Sequence, residues 1–232
     1  MSKNKVLELI DKAQRVYEAH YNKLDKVYIA GSQSIMHLEE SPSKILGGTR
    51  DIDILTDEYN EAYDHSMAFI AGEDSHYMKK TGYYIDVVKE SSLNLPKNWK
   101  QRTIKENIKT TNGNIEVNYL GPNDLLYSKL FAGREKDYKF IEKMFQYKIV
   151  SPKKLNFIWK NEINHLFENI EHKAYLASKL RVLSRKYFGN NKSTELIPGI
   201  SIKEEIIISL KEKEQALTKK ERHIKNNTKF KI

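Results

Sequence analysis

Two short stretches decide the fold of this chain: Val27-Tyr28-Ile29-Ala30-Gly31-Ser32 and, after a loop, Asp51-Ile52-Asp53-Ile54-Leu55. The first is an apolar run stopped by a glycine, which is typical of a buried strand that turns into a helix. In the second, acidic and apolar residues alternate, which predicts a strand with two different faces. Asp51 and Asp53 then project from one face, while the two isoleucines anchor the other face in the core.

Outward from these stretches, the first 150 residues alternate between strand-like and helix-like hydrophobic periods. This alternation predicts a mixed α/β domain. Asn112-Gly113 is a strong hairpin signal and predicts an antiparallel pair of strands on either side of it. The predicted elements are helices around Val6–Tyr17, Ser32–Leu38 and Asn60–Ile70, and strands Val27–Ala30, Asp51–Leu55, Tyr83–Val88, Ile104–Thr110 and Ile115–Tyr119.

From Pro122 onward the pattern is helical. A helix is predicted to begin at Pro122, to break at Gly133 and to resume over Glu135–Tyr147. Ser151-Pro152 predicts a boundary between a domain at residues 1–150 and a second at 151–232. The second is expected to contain helices over Leu155–Ile170, Ala174–Phe188 and Ile202–Leu217, and a frayed basic tail over Lys219–Ile232. The predicted fold class is α+β: a mixed sheet flanked by helices, followed by a C-terminal helical bundle.

The charge of the chain is unevenly distributed. The 232 residues carry 40 Lys plus Arg and 31 Asp plus Glu, a formal net charge of +9. Residues 1–150 hold 22 basic and 22 acidic side chains, so residues 151–232, with 18 basic and nine acidic, account for the whole excess. Cysteine is absent, which excludes disulfides, thiol nucleophiles and Cys-type zinc sites. No apolar stretch is long enough to span a bilayer, and the amphipathic start is unlike a signal peptide, so we expect a cytoplasmic protein.

Three acids from two predicted strands suggest a metal site. Asp51 and Asp53 share a strand face, and Asp86 lies within the apolar strand Tyr83–Val88, where an acid must be paired, metal-bound or exposed. Two carboxylates about 4 Å apart repel by roughly 4 kcal/mol at an effective dielectric near 20. Magnesium is the natural partner of such a pair. The turn at Gly31-Ser32 offers backbone N–H groups and a hydroxyl, which suit a phosphate. An isolated Asp-x-Asp usually marks a solvated strand edge or turn. The prediction of a metal site therefore rests on the three acids and the Gly31-Ser32 turn taken together.

The chain resembles a known superfamily at these residues. Tyr28 to Ser32 followed by Thr49 to Leu55 is similar to the nucleotidyltransferase signature, a Gly-Ser turn followed by an Asp-x-Asp strand. Ser128-Lys129-Leu130-Phe131-Ala132-Gly133-Arg134-Glu135-Lys136-Asp137 resembles a motif of the AbiEii-like branch, which contains abortive-infection toxins. The resemblance covers about residues 25–150.

The resemblance implies a role for each matching residue. Gly31 and Ser32 would hold the triphosphate of an NTP. Asp51 and Asp53 would ligate two Mg²⁺ ions, and Asp86 would be the third carboxylate, near the acceptor hydroxyl. The remaining positions come from the second motif. Lys129 would contact nucleotide phosphates, and Arg134 and Asp137 would orient or complete the nucleotide site.

The basic second part suggests an acceptor-binding surface. Lys179, Arg181, Arg185 and Lys186 fall on one predicted helix, and aromatic residues such as Tyr175 and Tyr187 lie among them. Such a surface suits a nucleic-acid acceptor, because neutralising phosphates supplies most non-specific affinity. A solubilising, lysine-rich surface explains the same residues equally well.

The sequence therefore predicts a Mg²⁺-dependent nucleotidyltransferase that moves NMP from an NTP to a hydroxyl of tRNA or of a protein. By the resemblance it would be a toxin or antiphage component, with an antitoxin as partner. Two alternatives stay open. One is a non-catalytic nucleotide- or RNA-binding module on the same fold, and the other is a small-molecule nucleotidyltransferase of the aminoglycoside-modifying type.

Overall fold

A computed structural model describes residues 1–35, 49–57, 59–163 and 170–189. The chain divides into two compact units, Met1–Ser151 and Pro152–Ile232. Several predicted features lie outside the described residues: the part of the first short helix beyond Ile35, the helix over Ile202–Leu217 and the basic tail. In the described part of the chain, no helix is long and apolar enough to cross a membrane.

The first unit is a five-stranded sheet with helices, as predicted. Its order along the chain is α1 (Lys3–His20), β1 (Lys26–Ile29), a 3-10 turn (Ser32–Ile35), β2 (Asp51–Leu55), α2 (Glu61–Ala71), α3 (His76–Thr81), β3 (Tyr84–Val87), two 3-10 turns (Glu90–Ser92 and Trp99–Arg102), β4 (Ile104–Thr110), β5 (Gly113–Tyr119), α4 (Pro122–Ala132) and α5 (Glu135–Gln146). The mixed α+β class is confirmed.

Helix α3 escaped the sequence prediction. It has six residues and no buried side chain, so it carries no apolar stripe. Its ends are set by local hydrogen bonds: the Ser75 side chain accepts from the Met78 N–H, and Gly82 closes the helix in the left-handed conformation. Caps of this kind define a short helix that hydrophobic periodicity does not reveal.

The sheet is mixed, with strand order β3-β2-β1-β5-β4. β2 runs antiparallel to β1 and parallel to β3, and Asp53 faces Asp86 across the β2–β3 pair. β4 and β5 form the predicted hairpin, with Thr110 opposite Gly113. The two strands that bear the acids are therefore neighbours at one side of the sheet.

The two faces of the sheet differ in chemistry. Ile29, Ile52, Ile54 and Ile85 point into one apolar cluster, which also contains residues of α1 and α2 such as Leu9. The aspartates alternate with these isoleucines and so lie on the opposite face. The core thus anchors the strands from one side and leaves the acids on the other.

Helices α4 and α5 stand on the acid-bearing side. α4 packs against α5 and against the 3-10 turn at Ser32–Ile35. Gly133 ends α4 in the left-handed conformation, with its N–H bonded to the Lys129 carbonyl, and α5 begins two residues later. Lys129, in the last turn of α4, and Arg134, just before α5, therefore lie in the same region.

The second unit is helical where it is described. α6 (Pro152–Ile158) continues into a π-helical turn at Trp159–Ile163, and α7 spans Ile170–Phe188. The predicted helix over Leu155–Ile170 is corrected in two ways: it begins earlier, at Pro152, and its hydrogen bonding changes register at Trp159, which hydrophobic spacing cannot detect. The helix predicted over Ala174–Phe188 is present and starts at Ile170.

Candidate active site

A cavity of about 800 Å³ opens in the first unit over the acid-bearing face of the sheet. Its walls come from the 3-10 turn, β2, α3, β3, α4 and α5. Seven of the residues predicted for the site line it: Ser32, Asp51, Asp53, Asp86, Lys129, Arg134 and Asp137. The structure therefore brings together side chains that are more than 100 positions apart in sequence.

The strand register places the three carboxylates. Asp51 and Asp53 are two residues apart on β2 and share a face. Asp86 is the partner of Asp53 on β3, and neighbouring strands lie about 4.8 Å apart. Asp51 and Asp53 are half-buried, whereas Asp86 is exposed. All three carboxylates line the cavity, and Asp86 is the most exposed to solvent.

The carboxylates of the site are partly desolvated and lie close enough to repel one another. Burial and then the charge of Asp51 raise the pKa of Asp53 to about 6, although Lys129 and Arg134 act in the opposite direction. Partial desolvation of the carboxylate and the charge of Asp51 also raise the pKa of Asp86. These carboxylates are therefore poised to accept a cation or a proton.

Gly31 makes room for the Asp53 carboxylate. A Cβ atom at Gly31 would lie 1.6 Å from Oδ2 of Asp53, and the residue has φ of +57°. The Ala30 N–H donates to the Asp53 carbonyl at 2.9 Å, and both the N–H and the hydroxyl of Ser34 donate to the Gly31 carbonyl. Glycine is required here by both space and backbone conformation.

The helix predicted from Ser32 is described only over its first four residues, Ser32–Ile35, which form a 3-10 turn. Ser32 lines the cavity in which a phosphate is expected to bind. The phosphate contact of Ser32 stays a prediction.

Asp137 holds the two cations of the site. It is buried and accepts two hydrogen bonds from Arg134, at 2.6 and 3.2 Å, and Lys129 Nζ lies 3.5 Å from its Oδ1. Burial alone would raise the pKa of Asp137, but the Arg134 hydrogen bond and the Lys129 charge lower it below the usual range. As a buried anion, Asp137 is suited to orienting these cations and would repel a phosphate.

Several lining residues were missed by the sequence reasoning. They come from four elements or their flanks and include cations, an acid and apolar side chains. Thr49, Arg50 and Lys136 belong to the two motif segments but were assigned no role in the site. The charge pattern along α5 could have revealed its other lysines, whereas Glu73 and Met78 carry no sequence signal for the site. These additional residues are Thr49, Arg50, Glu73, Met78, Tyr84, Lys136, Lys139, Phe140 and Lys143.

The donor set fits magnesium. Within the described residues, no group of three or more His, Asp or Glu side chains is close enough to hold one metal ion. Asp51 and Asp53 nevertheless form a pair of oxygen donors on one strand face, and burial together with the charge of Asp51 raises the pKa of Asp53. Mg²⁺ usually takes one or two carboxylates and completes its shell with water and substrate phosphates. The aspartate pair satisfies that requirement.

The four predicted acceptor-binding residues lie on α7 of the second unit. At about 100° per residue, Lys179 and Lys186 fall on one side of the helix, and Arg181 and Arg185 fall on roughly the opposite side. The lysines lie over the rings of Tyr175 and Tyr187, at 5.1 and 5.0 Å. One flat surface cannot contact all four residues. Their acceptor role stays a prediction.

Comparison with known proteins identifies a family but no individual relative. No curated protein and no solved structure matches the chain significantly. A family model described as a nucleotidyltransferase of unknown function, DUF6036, matches residues 4–192, which include the whole cavity. The AbiEii-like branch suggested by the Lys129–Asp137 motif is not confirmed by this match. The chain belongs to the DUF6036 family of nucleotidyltransferases, whose function is unknown.

Proposed function

We propose that this protein is a Mg²⁺-dependent nucleotidyltransferase that moves NMP from an NTP to a hydroxyl group of a macromolecular acceptor. One observation carries the proposal: three carboxylates of two neighbouring strands share a cavity with Lys129 and Arg134. The cavity thus has an acidic wall suited to cations and a basic wall suited to phosphates. Family membership supports the reaction class.

The acidic and the basic wall of the cavity would have different roles in the reaction. Lys129 and Arg134, oriented by Asp137, would hold the triphosphate against the acidic wall. Magnesium bound by Asp51 and Asp53 would supply Lewis-acid stabilisation of the phosphate charge. Asp86 would take the proton of the acceptor hydroxyl, and its raised pKa favours that role.

The proposed step is a substitution at the α-phosphorus of the NTP. The acceptor oxygen forms a bond to the α-phosphorus of the NTP, and the bond from that phosphorus to the bridging oxygen of the β-phosphate breaks. The hydroxyl proton passes to Asp86, and pyrophosphate leaves. The products are an NMP-modified acceptor and pyrophosphate.

Labelled nucleotides test this proposal directly. The full chain is incubated with Mg²⁺, total cellular RNA or protein, and each of the four NTPs labelled at the α- or the γ-phosphate. We expect transfer of the α-label and none of the γ-label, with loss of transfer in the Asp51→Ala/Asp53→Ala double variant. Transfer of the γ-label would indicate a kinase, and transfer unchanged in the double variant would refute the site.

Label transfer and calorimetry together distinguish the two alternative functions. A non-catalytic binding module would bind NTP in calorimetry with an affinity independent of Mg²⁺ and would transfer no label. A small-molecule enzyme would label a low-molecular-weight acceptor such as an aminoglycoside. The macromolecular acceptor is preferred because basic side chains continue along the cavity wall beyond the nucleotide-binding pair.

The toxin or antiphage role, with a partner antitoxin, rests on the resemblance to the AbiEii-like branch. Induced expression of the wild-type chain is expected to arrest bacterial growth, and the Asp53→Asn variant is expected to be harmless at the same protein level. Growth arrest by both variants, or by neither, would contradict this part of the proposal.

A further inference from the structure

Helix α5 carries a row of three lysines on the cavity wall. Lys136, Lys139 and Lys143 all line the cavity. At about 100° and 1.5 Å per residue, they fall within an arc of roughly 60° and span roughly 10 Å along the helix. Lys136 and Lys139 are exposed, and Lys143 is half-buried. The row therefore forms one continuous basic face, which we call the α5 lysine row.

The α5 lysine row is distinct from the inner cations. Lys129 and Arg134 are bound to Asp137, and their charges act on Asp53. The row begins two residues after Arg134 and leads along the helix away from this pair. Lys139 pairs with Glu135 at 2.7 Å, but both side chains are highly exposed, so this ion pair is weak and exchangeable. Lys136 and Lys139 are exposed, so their ammonium groups can bind a second anion, and Lys143 adds a third positive charge to the same face.

We propose that the α5 lysine row binds the phosphodiester backbone of the acceptor, a single-stranded nucleic-acid end whose terminal hydroxyl reaches Asp86. The inference rests on the proposed function, because it takes the inner cations as the triphosphate site. The three lysines, spread over roughly 10 Å, can pair with two to three successive phosphates of one strand. The acidic wall repels phosphates, so an acceptor strand must turn its phosphates toward α5.

The size of the cavity favours a strand end over a duplex. Its volume of about 800 Å³ must hold the nucleotide as well as the terminal hydroxyl of the acceptor. The end of a single strand brings one backbone into this space, whereas the end of a duplex brings two. The basic residues of α7 form a less continuous surface, because its two lysines and two arginines lie on opposite sides of that helix. The α5 lysine row is therefore the better-formed backbone contact.

Binding without catalysis provides the test. The full chain is titrated, in EDTA and without NTP, against fluorescent single-stranded oligonucleotides of one sequence, as RNA and as DNA, at several salt concentrations. For Lys136→Gln/Lys139→Gln/Lys143→Gln we expect at least about tenfold weaker binding and a salt slope shallower by about 2, since each phosphate contact contributes about 0.7 for single strands. NTP affinity should be unchanged, which also shows that the variant is folded.

Two further variants make the test specific. Lys97→Gln/Lys105→Gln/Lys109→Gln removes the same charge from exposed positions outside the cavity lining and should weaken binding much less. Replacing the α5 lysine row by three arginines should restore binding, because a backbone contact needs charge more than side-chain identity. A preference between RNA and DNA identifies the source of the strand, and either supports the proposal.

Three results would overturn the inference: wild-type affinity in the glutamine variant, an equal loss in the control variant, or binding of an acidic peptide or a duplex in place of the single strand. A failure of this inference can be distinguished from a failure of the proposed function. A chain that binds the strand through the α5 lysine row but never transfers label refutes the transferase alone. A chain whose glutamine variant labels the strand normally refutes the row alone.

Discussion

At the scale of single residues, the site depends on a glycine that leaves space for a carboxylate. Gly31→Ala would place a Cβ within 1.6 Å of the Asp53 carboxylate and would force a left-handed alanine. We predict a loss of about 2 to 4 kcal/mol in the free energy of unfolding, of which backbone conformation accounts for about 1 to 2. Urea denaturation measures this loss, and nucleotidyl transfer should fall with it.

Gly82 provides a matched control for Gly31. It also has positive φ, +77°, but nothing lies within 4 Å of its potential Cβ. Gly82→Ala should therefore show the backbone cost alone, with no effect on transfer. In an Asp53→Ala background, Gly31→Ala should cost no more than Gly82→Ala, because the clashing carboxylate is gone. Strictly additive effects of Gly31→Ala and Asp53→Ala would contradict the proposed contact.

The raised pKa of Asp53 predicts a pH-dependent stability. In metal-free protein, folding favours the protonated acid, so stability falls as pH rises from the unfolded value near 3.8 through about 6. Asp53→Asn should therefore be more stable than the wild type by about 1 to 3 kcal/mol at pH 8, allowing for partial exposure, and this gain should shrink below pH 6 and vanish near pH 4.

Thermal melts in EDTA across that pH range measure the difference between Asp53→Asn and the wild type. Adding Mg²⁺ at pH 8 should stabilise the wild type and leave the variant unchanged, because ligand binding to the folded state raises stability. A stability gain that is independent of pH would show that desolvation of the Asp53 charge is not its cause.

Asp137 is predicted to act by positioning Lys129 and Arg134. Asp137→Asn keeps the size of the side chain but leaves two cations without their anion, so we expect a loss of about 1 to 3 kcal/mol in stability and a higher KM for NTP. Glu135→Gln, which removes only the exposed pair with Lys139, should leave the stability and the KM for NTP unchanged within error. An unchanged KM in Asp137→Asn would contradict the positioning role.

At the scale of secondary-structure elements, helix α4 is held in place by an ion pair at its first turn. Asp124 is buried and accepts bidentate hydrogen bonds from Arg102, at 2.6 to 3.1 Å. α4 carries Lys129 just over one turn later. The orientation of this cation therefore depends on an ion pair outside the cavity lining.

Arg102→Met is expected to destabilise the protein by about 2 to 4 kcal/mol, because it leaves a buried carboxylate without its charged partner. Urea denaturation measures this loss, and weaker NTP binding should accompany it. The double variant Arg102→Met/Asp124→Leu should recover part of the stability, since the uncompensated charge is removed. A double variant less stable than Arg102→Met would refute this account.

At the scale of the whole molecule, the two units differ in charge and in core. The apolar cluster beneath the sheet consists entirely of residues between Val6 and Tyr119. Residues 1–151 expressed alone are therefore predicted to unfold cooperatively and to bind NTP with Mg²⁺. Chemical denaturation and calorimetry test this prediction. A fragment without a cooperative transition would show that the first unit needs the second to fold.

Local sequence patterns predicted most helices and strands but not how they pack together. The alternation in Asp51–Leu55, the turn at Asn112-Gly113 and the break at Gly133 each act over a few residues, and each element lies within a few residues of its prediction. Helix α3 and the π-helical turn were missed because their boundaries depend on caps and hydrogen-bond register. Such features leave no hydrophobic period in the sequence.

The sequence by itself determined which residues could carry the chemistry: the paired aspartates on one strand face, the glycine turn and the Lys129–Asp137 motif. Only the tertiary structure decided their partners. The pairing of β2 with β3 set Asp86 beside Asp53, the packing of α4 and α5 set two cations opposite them, and the cavity included the α5 lysine row. The physical reason is range: strand periodicity and turn chemistry act between near neighbours, whereas register and helix packing are fixed by the burial of one shared core.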